Sequence, residues 1–281
     1  MNYQWYPGHM TKAVRQMQED IKLIDLVIEI IDARIPFSSR NPDIDKLAQN
    51  KSRVIILNKS DLSDSKVNAL WKEHFEKNGI FVLEADSRNG KTLNKLNDLV
   101  KQACAEKIER DRKRGIINRP LRAMVVGIPN VGKSTFINSF AGKACAKTGN
   151  KPGVTKGKQW IRLGKGLELL DTPGILWPKF DSSEVGEHLA LIGAINDEII
   201  HTDELAMAGI KFLIESYPNL LTERYDKDLD MSKKGHEILS DLAVSRNLMA
   251  KGGVPDIDRM ASVFIEELRS GKIGRISIER P

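Results

Sequence analysis

Gly127-Ile128-Pro129-Asn130-Val131-Gly132-Lys133-Ser134 fits the spacing G-x-x-x-x-G-K-[ST]. Glycines in such a run let the backbone curl until successive N–H groups converge on phosphate oxygens, and a helix N-terminus behind them adds partial positive charge. In that arrangement Lys133 bridges the outer phosphates and the Ser134 hydroxyl ligates Mg²⁺. Asn130, Val131, Gly132 and Thr135 complete the cradle. A second tetrad, Asp171-Thr172-Pro173-Gly174, follows about forty residues later. A D-x-x-G match is weak alone, since about one per protein arises by chance. At the end of a strand and behind a phosphate loop, it predicts that Asp171 holds Mg²⁺ through water and that the Gly174 N–H senses a γ-phosphate. A third, Asn58-Lys59-Ser60-Asp61, pairs a carboxylate with an amide. As an isolated tetrad it is also an ordinary turn sequence. Beside a phosphate loop it reads as base recognition. Asp61 can accept both the N1–H and the exocyclic amine of guanine, and adenine offers no such donor pair. Asn58 would contact N7 and tether loops while the Lys59 stem lies over the base. GTP is favoured over ATP.

These residues need a scaffold that brings strand ends together. Residues 26–31 and 54–57 are short, β-branched apolar runs, as buried parallel strands are. Residues 80–85 read as a third strand, between helical patterns at 65–77 and 92–108. Residues 122–127 read as a fourth strand, directly before the phosphate loop, with a helix over 135–140 after it, which is the context that motif requires. Residues 158–163 and 167–170 suit an antiparallel hairpin. Val14, Met17, Ile21 and Ile24 predict an amphipathic helix over 11–24. The alternation of strand and helix predicts an α/β domain, a mostly parallel sheet with helices on both faces. Beyond residue 181 no strand pattern of comparable strength follows. Helices are expected over 184–195, 205–217 (stopped by Pro218), 235–249 and 257–268, with Gly271 as a C-cap. The chain thus divides at 1–180 and 181–281, the second part a small all-α domain.

The tetrad that reads the base precedes the phosphate loop, whereas most GTPases have the reverse order. The same sheet forms if the usual termini are joined and new ends opened elsewhere, which close-lying surface termini permit. The join is the basic stretch at about 105–121. With Trp5-Tyr6-Pro7-Gly8-His9-Met10, Asp32-Ala33-Arg34-Ile35-Pro36, Pro152-Gly153-Val154-Thr155 and Asp171-Thr172-Pro173-Gly174-Ile175-Leu176-Trp177-Pro178 in that order, the whole chain resembles the circularly permuted GTPases, specifically those that assist assembly of the bacterial large ribosomal subunit. That resemblance implies a circularly permuted P-loop GTPase domain and a helical, rRNA-binding C-terminal domain. It further implies contact with the precursor of the large subunit, and GTP hydrolysis to GDP tied to late maturation and release. By motif position Thr155 is the switch I threonine that ligates Mg²⁺ and senses the γ-phosphate. Ser87 falls in the loop near guanine O6, where the sequence departs from the usual Ser-Ala-Lys by placing Arg88 at the alanine.

Many GTPases carry a glutamine after D-x-x-G to orient the attacking water; Ile175, Leu176 and Trp177 cannot do so. Two replacements are expected. Asn130 resembles the asparagine that helps hold K⁺ in GTPases with a hydrophobic residue at that place. His9 lies on a chain end that permutation could bring to the nucleotide once a partner orders it. A structural or RNA-contacting histidine is the alternative. Turnover is expected to be slow alone and stimulated by the ribosomal particle.

Composition agrees with a folded protein: 41% hydrophobic and 29% charged over 281 residues. Two cysteines, Cys104 and Cys145, form neither a metal cluster nor a disulfide framework, which suits a reducing compartment, and a cytoplasmic location is expected. No apolar run approaches the roughly 18 residues of a membrane span. The net charge of +6 conceals a split, +13 over residues 1–180 and −7 over 181–281. Residues 143–165 carry seven bases and no acid. Lys147, Lys151, Lys156 and Lys158 there, with Arg112, Lys113 and Arg114 in the join, are the expected phosphate-backbone contacts. A rim of the nucleotide site, or a solvated helix end and linker, would carry similar charge. Lys233, Lys234, Arg246 and Lys251 form a smaller basic group in the acidic C-terminal part. The protein is expected to act as a monomer. Two alternatives remain: an RNA-binding module gated by nucleotide with incidental hydrolysis, and a tRNA-linked GTPase.

Overall fold

The strands form where the apolar runs predict them. In the computed structural model they are β1 (Leu26–Asp32), β2 (Ser52–Asn58), β3 (Phe81–Ala85), β4 (Leu121–Val126), β5 (Gln159–Leu163) and β6 (Leu167–Asp171). The helices are α1 (Gly8–Asp20), α2 (Pro42–Leu47), α3 (Ser65–Lys77), α4 (Leu96–Ala103), α5 (Ala105–Lys113), α6 (Lys133–Ala141), α7 (Ser183–Leu191), α8 (Thr202–Ser216), α9 (Pro218–Tyr225), α10 (Gly235–Ser245) and α11 (Ile257–Ser270). The structure describes residues 8–117, 119–142, 159–163, 166–180, 182–225 and 229–281.

One sheet of six strands runs in the order β3-β2-β1-β4-β6-β5. Every pairing is parallel except the β5–β6 hairpin. Every residue of β1 is buried, because a parallel strand with both faces covered has no solvent side. On β2, Ile55 and Leu57 pack with Val67, Trp71 and Phe75 of α3. The intervening Val54 and Ile56 point to the opposite face and are also buried. The chain runs outward from β1 through β2 and β3, then returns to the far side of β1 as β4. β1 and β4 therefore flank a topological switch point, and ligands of open α/β sheets bind in the crevice outside the carboxyl ends of strands at such a point. The phosphate-loop strand stands fourth in sequence yet central in space, which is the permuted order.

By contact density the chain divides into two units, Asp181–Ile278 and Gln4–Phe180 with Glu279–Pro281. The last three residues thus pack in the α/β unit, apart from the rest of the C-terminal part. Within the helical unit α8 and α11 pack closely, and a Cβ at Gly209 would lie 3.0 Å from the Phe264 ring. Arg269 donates to Leu191 O at 3.1 Å and Ala190 O at 2.7 Å, satisfying carbonyls at the end of α7.

Three expectations are revised. The helix predicted over 92–108 is broken at Cys104, and α5 makes the first half of the basic join helical. Pro218 does end α8, but it also starts α9, since proline is well suited to the first turn of a helix. The helix expected over 184–195 stops at Leu191, where Gly193 adopts φ 78°.

Candidate functional site

Strand register assembles the site. Asp32 on β1 is level with Asn58 on β2, Asn58 is level with Ala85 on β3, and Asp171 on β6 is level with Val125 on β4. Five loops leave the same edge of the sheet from these positions: residues 33–41, 59–64, 86–89, 127–132 and the segment from 172 onward.

Asn58, 2% exposed, ties three of them together. Its Nδ2 donates to Val131 O at 2.6 Å, and its Oδ1 accepts from Ser87 N at 3.0 Å and from Ser87 Oγ at 2.7 Å. Ser139 Oγ on α6 donates in turn to Ser87 O. Asn58 thus bridges the phosphate loop and the loop after β3. At Gly132, with φ 94°, a Cβ would lie 2.4 Å from Asn58 Nδ2, so the bridge requires glycine there.

Lys133 opens α6 and is 7% exposed. Ser134 and Thr135 follow it on the first turn, partly exposed. Burial pushes the Lys133 ammonium down to about 8, and the nearby Asp171 charge offsets part of that shift. Burial also pushes the Asp171 carboxyl upward, against the pull of Lys133 and a backbone hydrogen bond from Thr172. A buried cation whose charged form is poorly solvated is poised to accept an anion. Thr172 Oγ1 donates to Val125 O at 2.8 Å and Ile175 N to Gly127 O at 3.3 Å, which seats the D-x-x-G turn against the phosphate loop. At Gly174 a Cβ would lie 2.9 Å from Pro129 N, so only glycine permits this approach. Ile175, Leu176 and Trp177 are buried.

Among the described residues, two buried carboxylate oxygens, Asp61 Oδ1 and Asp171 Oδ1, find no hydrogen-bond donor. A buried acceptor without a donor is costly. A guanine edge at Asp61 and a hydrated divalent cation at Asp171 would each remove the deficit, so the residues present fit the groups the motifs imply. The second oxygen of Asp61 pairs with Arg88, whose Nε also contacts Asp86 at 3.1 Å. The arginine in the alanine place therefore holds the carboxylate that the sequence leads one to expect at the base.

Sequence reasoning did not assign a role to Asp32 or Arg34, although their motif was evident. Asp32 is fully buried. It accepts from Arg34 Nε at 2.9 Å and Nη2 at 2.8 Å, and pairs with Lys59 Nζ at 2.9 Å. Burial alone would raise this carboxyl, but the charges of Arg34 and Lys59 outweigh it and hold Asp32 well below its ordinary 3.8. Lys59 itself has φ 58°, an uncommon conformation for a side-chain-bearing residue. The Lys59 ammonium is thereby held by a carboxylate at the end of β1.

Asn130, with φ 61°, is described on the phosphate loop. Arg112, Lys113 and Arg114 are exposed at the end of α5. His9 lies on α1, its side chain outside the described residues. Thr155 and Lys147, Lys151, Lys156 and Lys158 also lie outside them. Among the described residues no group of three or more His, Cys, Asp or Glu could hold a metal, and no helix is long and apolar enough to cross a membrane. In the helical unit Lys233 is paired with Asp241 at 2.8 Å, and Arg246 reaches Glu267 at 3.6 Å and stacks over Tyr225 at 4.9 Å. Two of that group's four charges are thus already engaged.

Residues 122–234 match the family described as MMR_HSR1, 50S ribosome-binding GTPase. A protein named ribosome biogenesis GTPase A from Bacillus licheniformis is 47% identical over 281 residues, covering 100% of this chain and 99% of its own. The chain belongs to the ribosome biogenesis GTPase A family. A protein also named ribosome biogenesis GTPase A, from Thermotoga maritima, is 35% identical over 277 residues, covering 99% of this chain and 94% of its own. A solved GDP-bound structure of TM YlqF is 31% identical with a TM-score of 0.70, covering 95% of this chain and 99% of that one. A GNP-bound structure of YlqF from T. maritima is 32% identical with a TM-score of 0.65, covering 96% and 98%. The fold of ribosome biogenesis GTPase A relatives thus extends over essentially the whole chain, including the permuted strand order.

Proposed function

We propose that the protein is a GTPase assembly factor that binds the immature large ribosomal subunit through rRNA and couples GTP hydrolysis to late maturation and its own release. The observation that carries this reading is the convergence of Asn58, Asp61, Lys133 and Asp171 at one sheet edge, in a chain related end to end to proteins named ribosome biogenesis GTPase A. Phosphates would lie on the N-terminus of α6 against Lys133, and guanine would satisfy Asp61 under the stem of Lys59. Mg²⁺, held by Ser134, Asp171 and Thr155, would neutralise charge on the β- and γ-phosphates. Gly174 N–H would report the γ-phosphate, and Ile175 and Leu176, being buried and apolar, would keep bulk water from that side without orienting the nucleophile. His9 is the proposed water-orienting residue, and Asn130 the proposed K⁺ ligand. His9 would act only once the ribosomal particle orders it, so turnover alone would be slow. Lys147, Lys151, Lys156, Lys158, Arg112, Lys113 and Arg114 are the proposed RNA contacts, on a monomer acting in the cytoplasm.

The direct test is co-sedimentation with large-subunit precursors. Association should be strong with a non-hydrolysable GTP analogue and weak with GDP, and the particles should raise the GTPase rate. Equal association in both nucleotide states, or no stimulation by the particles, would overturn the proposal. A catalytically inert variant that still bound GTP and supported assembly would leave only the RNA-binding part of it standing.

A further inference from the structure

The loop that follows β1 touches the nucleotide site at both ends and is gripped in its middle by a residue more than two hundred positions away. At its start, Arg34 is 2% exposed and its guanidinium holds Asp32, which in turn holds Lys59. At its end, Asn41 caps α2 through Oδ1 and donates from Nδ2 to Ile175 O at 3.1 Å, in the segment after D-x-x-G. Between them the Glu279 carboxylate accepts from Phe37 N at 2.7 Å, from Ser38 N at 3.1 Å and from the Ser38 hydroxyl. Glu279 N donates to Arg34 O at 3.4 Å, and Glu279 O accepts from Trp71 Nε1 at 3.2 Å. Ser39 closes the loop onto its own start, receiving Asp32 N at 3.0 Å and donating to Ile35 O at 2.7 Å.

We propose that Glu279 is a positioning residue for the nucleotide site: its carboxylate clamps the loop over residues 33–41, and that loop sets Lys59 through Arg34 and Asp32, and Ile175 through Asn41. The physical reason is that the loop is short, buried at both ends and closed on itself, so it shifts as one piece. A carboxylate receiving two backbone N–H groups and a hydroxyl is a strong, directional anchor for such a piece. Without it the two backbone donors at Phe37 and Ser38 seek water, and the loop's resting position is set less sharply. Lys59 and Ile175 then occupy their nucleotide-holding positions for a smaller fraction of the time, and the bound nucleotide leaves faster.

The test is the release of a fluorescent GDP from the full chain, followed by stopped flow. Glu279→Ala, Glu279→Gln and a chain ending at Ile278 should each release GDP about threefold to thirtyfold faster, the range by which residues linking sites through packed contacts change a binding constant. Val100→Ala, in the core of α4 and remote from the loop, serves as the control, lowering Tm while leaving release unchanged. Ser38→Ala removes a single bond of the clamp and should accelerate release by a smaller factor; it decides the matter if Glu279→Ala does not fold. Release within twofold of the parent in every folded variant, with only a fall in Tm, would reduce Glu279 to a structural anchor and overturn the proposal. The clamp presupposes guanine-nucleotide binding: a parent protein unable to bind GDP would sink that reading, whereas unchanged release sinks the clamp alone.

Discussion

Asp32 shows how much depends on one buried charge. Its carboxylate is enclosed by Arg34 and Lys59, so replacing it leaves a guanidinium buried without its counter-charge. Asp32→Asn should cost about 3–5 kcal/mol at neutral pH, the range for breaking a buried pair, read from denaturant unfolding. Because the native state holds this carboxyl below its unfolded value, it binds fewer protons than the unfolded chain. The gap between parent and variant should therefore be constant above about pH 5 and narrow as pH falls through 4 and below. At Asp61 the decisive feature is an unmet acceptor. Asp61→Asn exchanges one acceptor for a donor, mismatching the guanine amine and matching the second carbonyl of xanthine. GTP affinity should fall about a hundredfold and xanthosine triphosphate should gain, since a site built to pair a polar group strongly penalises a mismatch. At Asn130 the expected outcome is higher turnover in K⁺ than in Na⁺, a difference that Asn130→Ala erases; equal rates in both salts for the parent would exclude a cation at that asparagine.

At the scale of elements, the geometry of the candidate site follows from register. Asn58 and Asp171 reach the same edge because β2 and β6 pair with β1 and β4 in registers that bring their carboxyl ends level. The close seat of Gly174 on Pro129 couples the end of β6 to the phosphate loop. Gly174→Ala inserts a methyl where no space exists, so the turn must back away from the γ-phosphate position. GDP affinity should stay within a few-fold of the parent while turnover falls at least tenfold. A proportionate loss of GDP binding would show that the turn also shapes the diphosphate site. Much of this was legible in the sequence, because the apolar runs of β1, β2 and β4 and the three tetrads are local patterns that need no knowledge of distant residues. The same locality explains what escaped. α2 is six residues long and set by the Asn41 cap, too short for an apolar period to emerge. The break at Cys104 within an otherwise helical pattern carries no glycine or proline to mark it. Asp32 and Arg34 appeared as a motif without a partner, because Lys59 lies on another strand end and Glu279 on the last turn of chain. Contacts between residues far apart in sequence leave no periodic trace.

At the scale of the whole molecule, the +6 net charge hides two units of opposite sign, the helical one acidic. A polyanionic RNA is attracted chiefly to the basic unit, and each phosphate neutralised releases counterions, so log K against log salt falls by about 0.9 per contact on duplex nucleic acid. Within the helical unit the supply of uncommitted charge is smaller still, since Lys233 and Arg246 are engaged with Asp241 and Glu267. The proposed RNA contacts are therefore Lys147, Lys151, Lys156 and Lys158 of the switch I segment and, separately, Arg112, Lys113 and Arg114 at the end of α5. Replacing Lys147, Lys151, Lys156 and Lys158 by alanine should reduce the salt slope of ribosome binding by about two to four and weaken binding strongly at moderate salt. Replacing Lys234 and Lys251 together should reduce it by less than about one. The measurement is equilibrium binding to purified large-subunit precursors across a salt series, with the GTP analogue bound and with nucleotide affinity checked in each variant. A larger loss from the second pair than from the first four would place the main electrostatic anchor on the acidic helical unit, where local geometry would have to prevail over net charge.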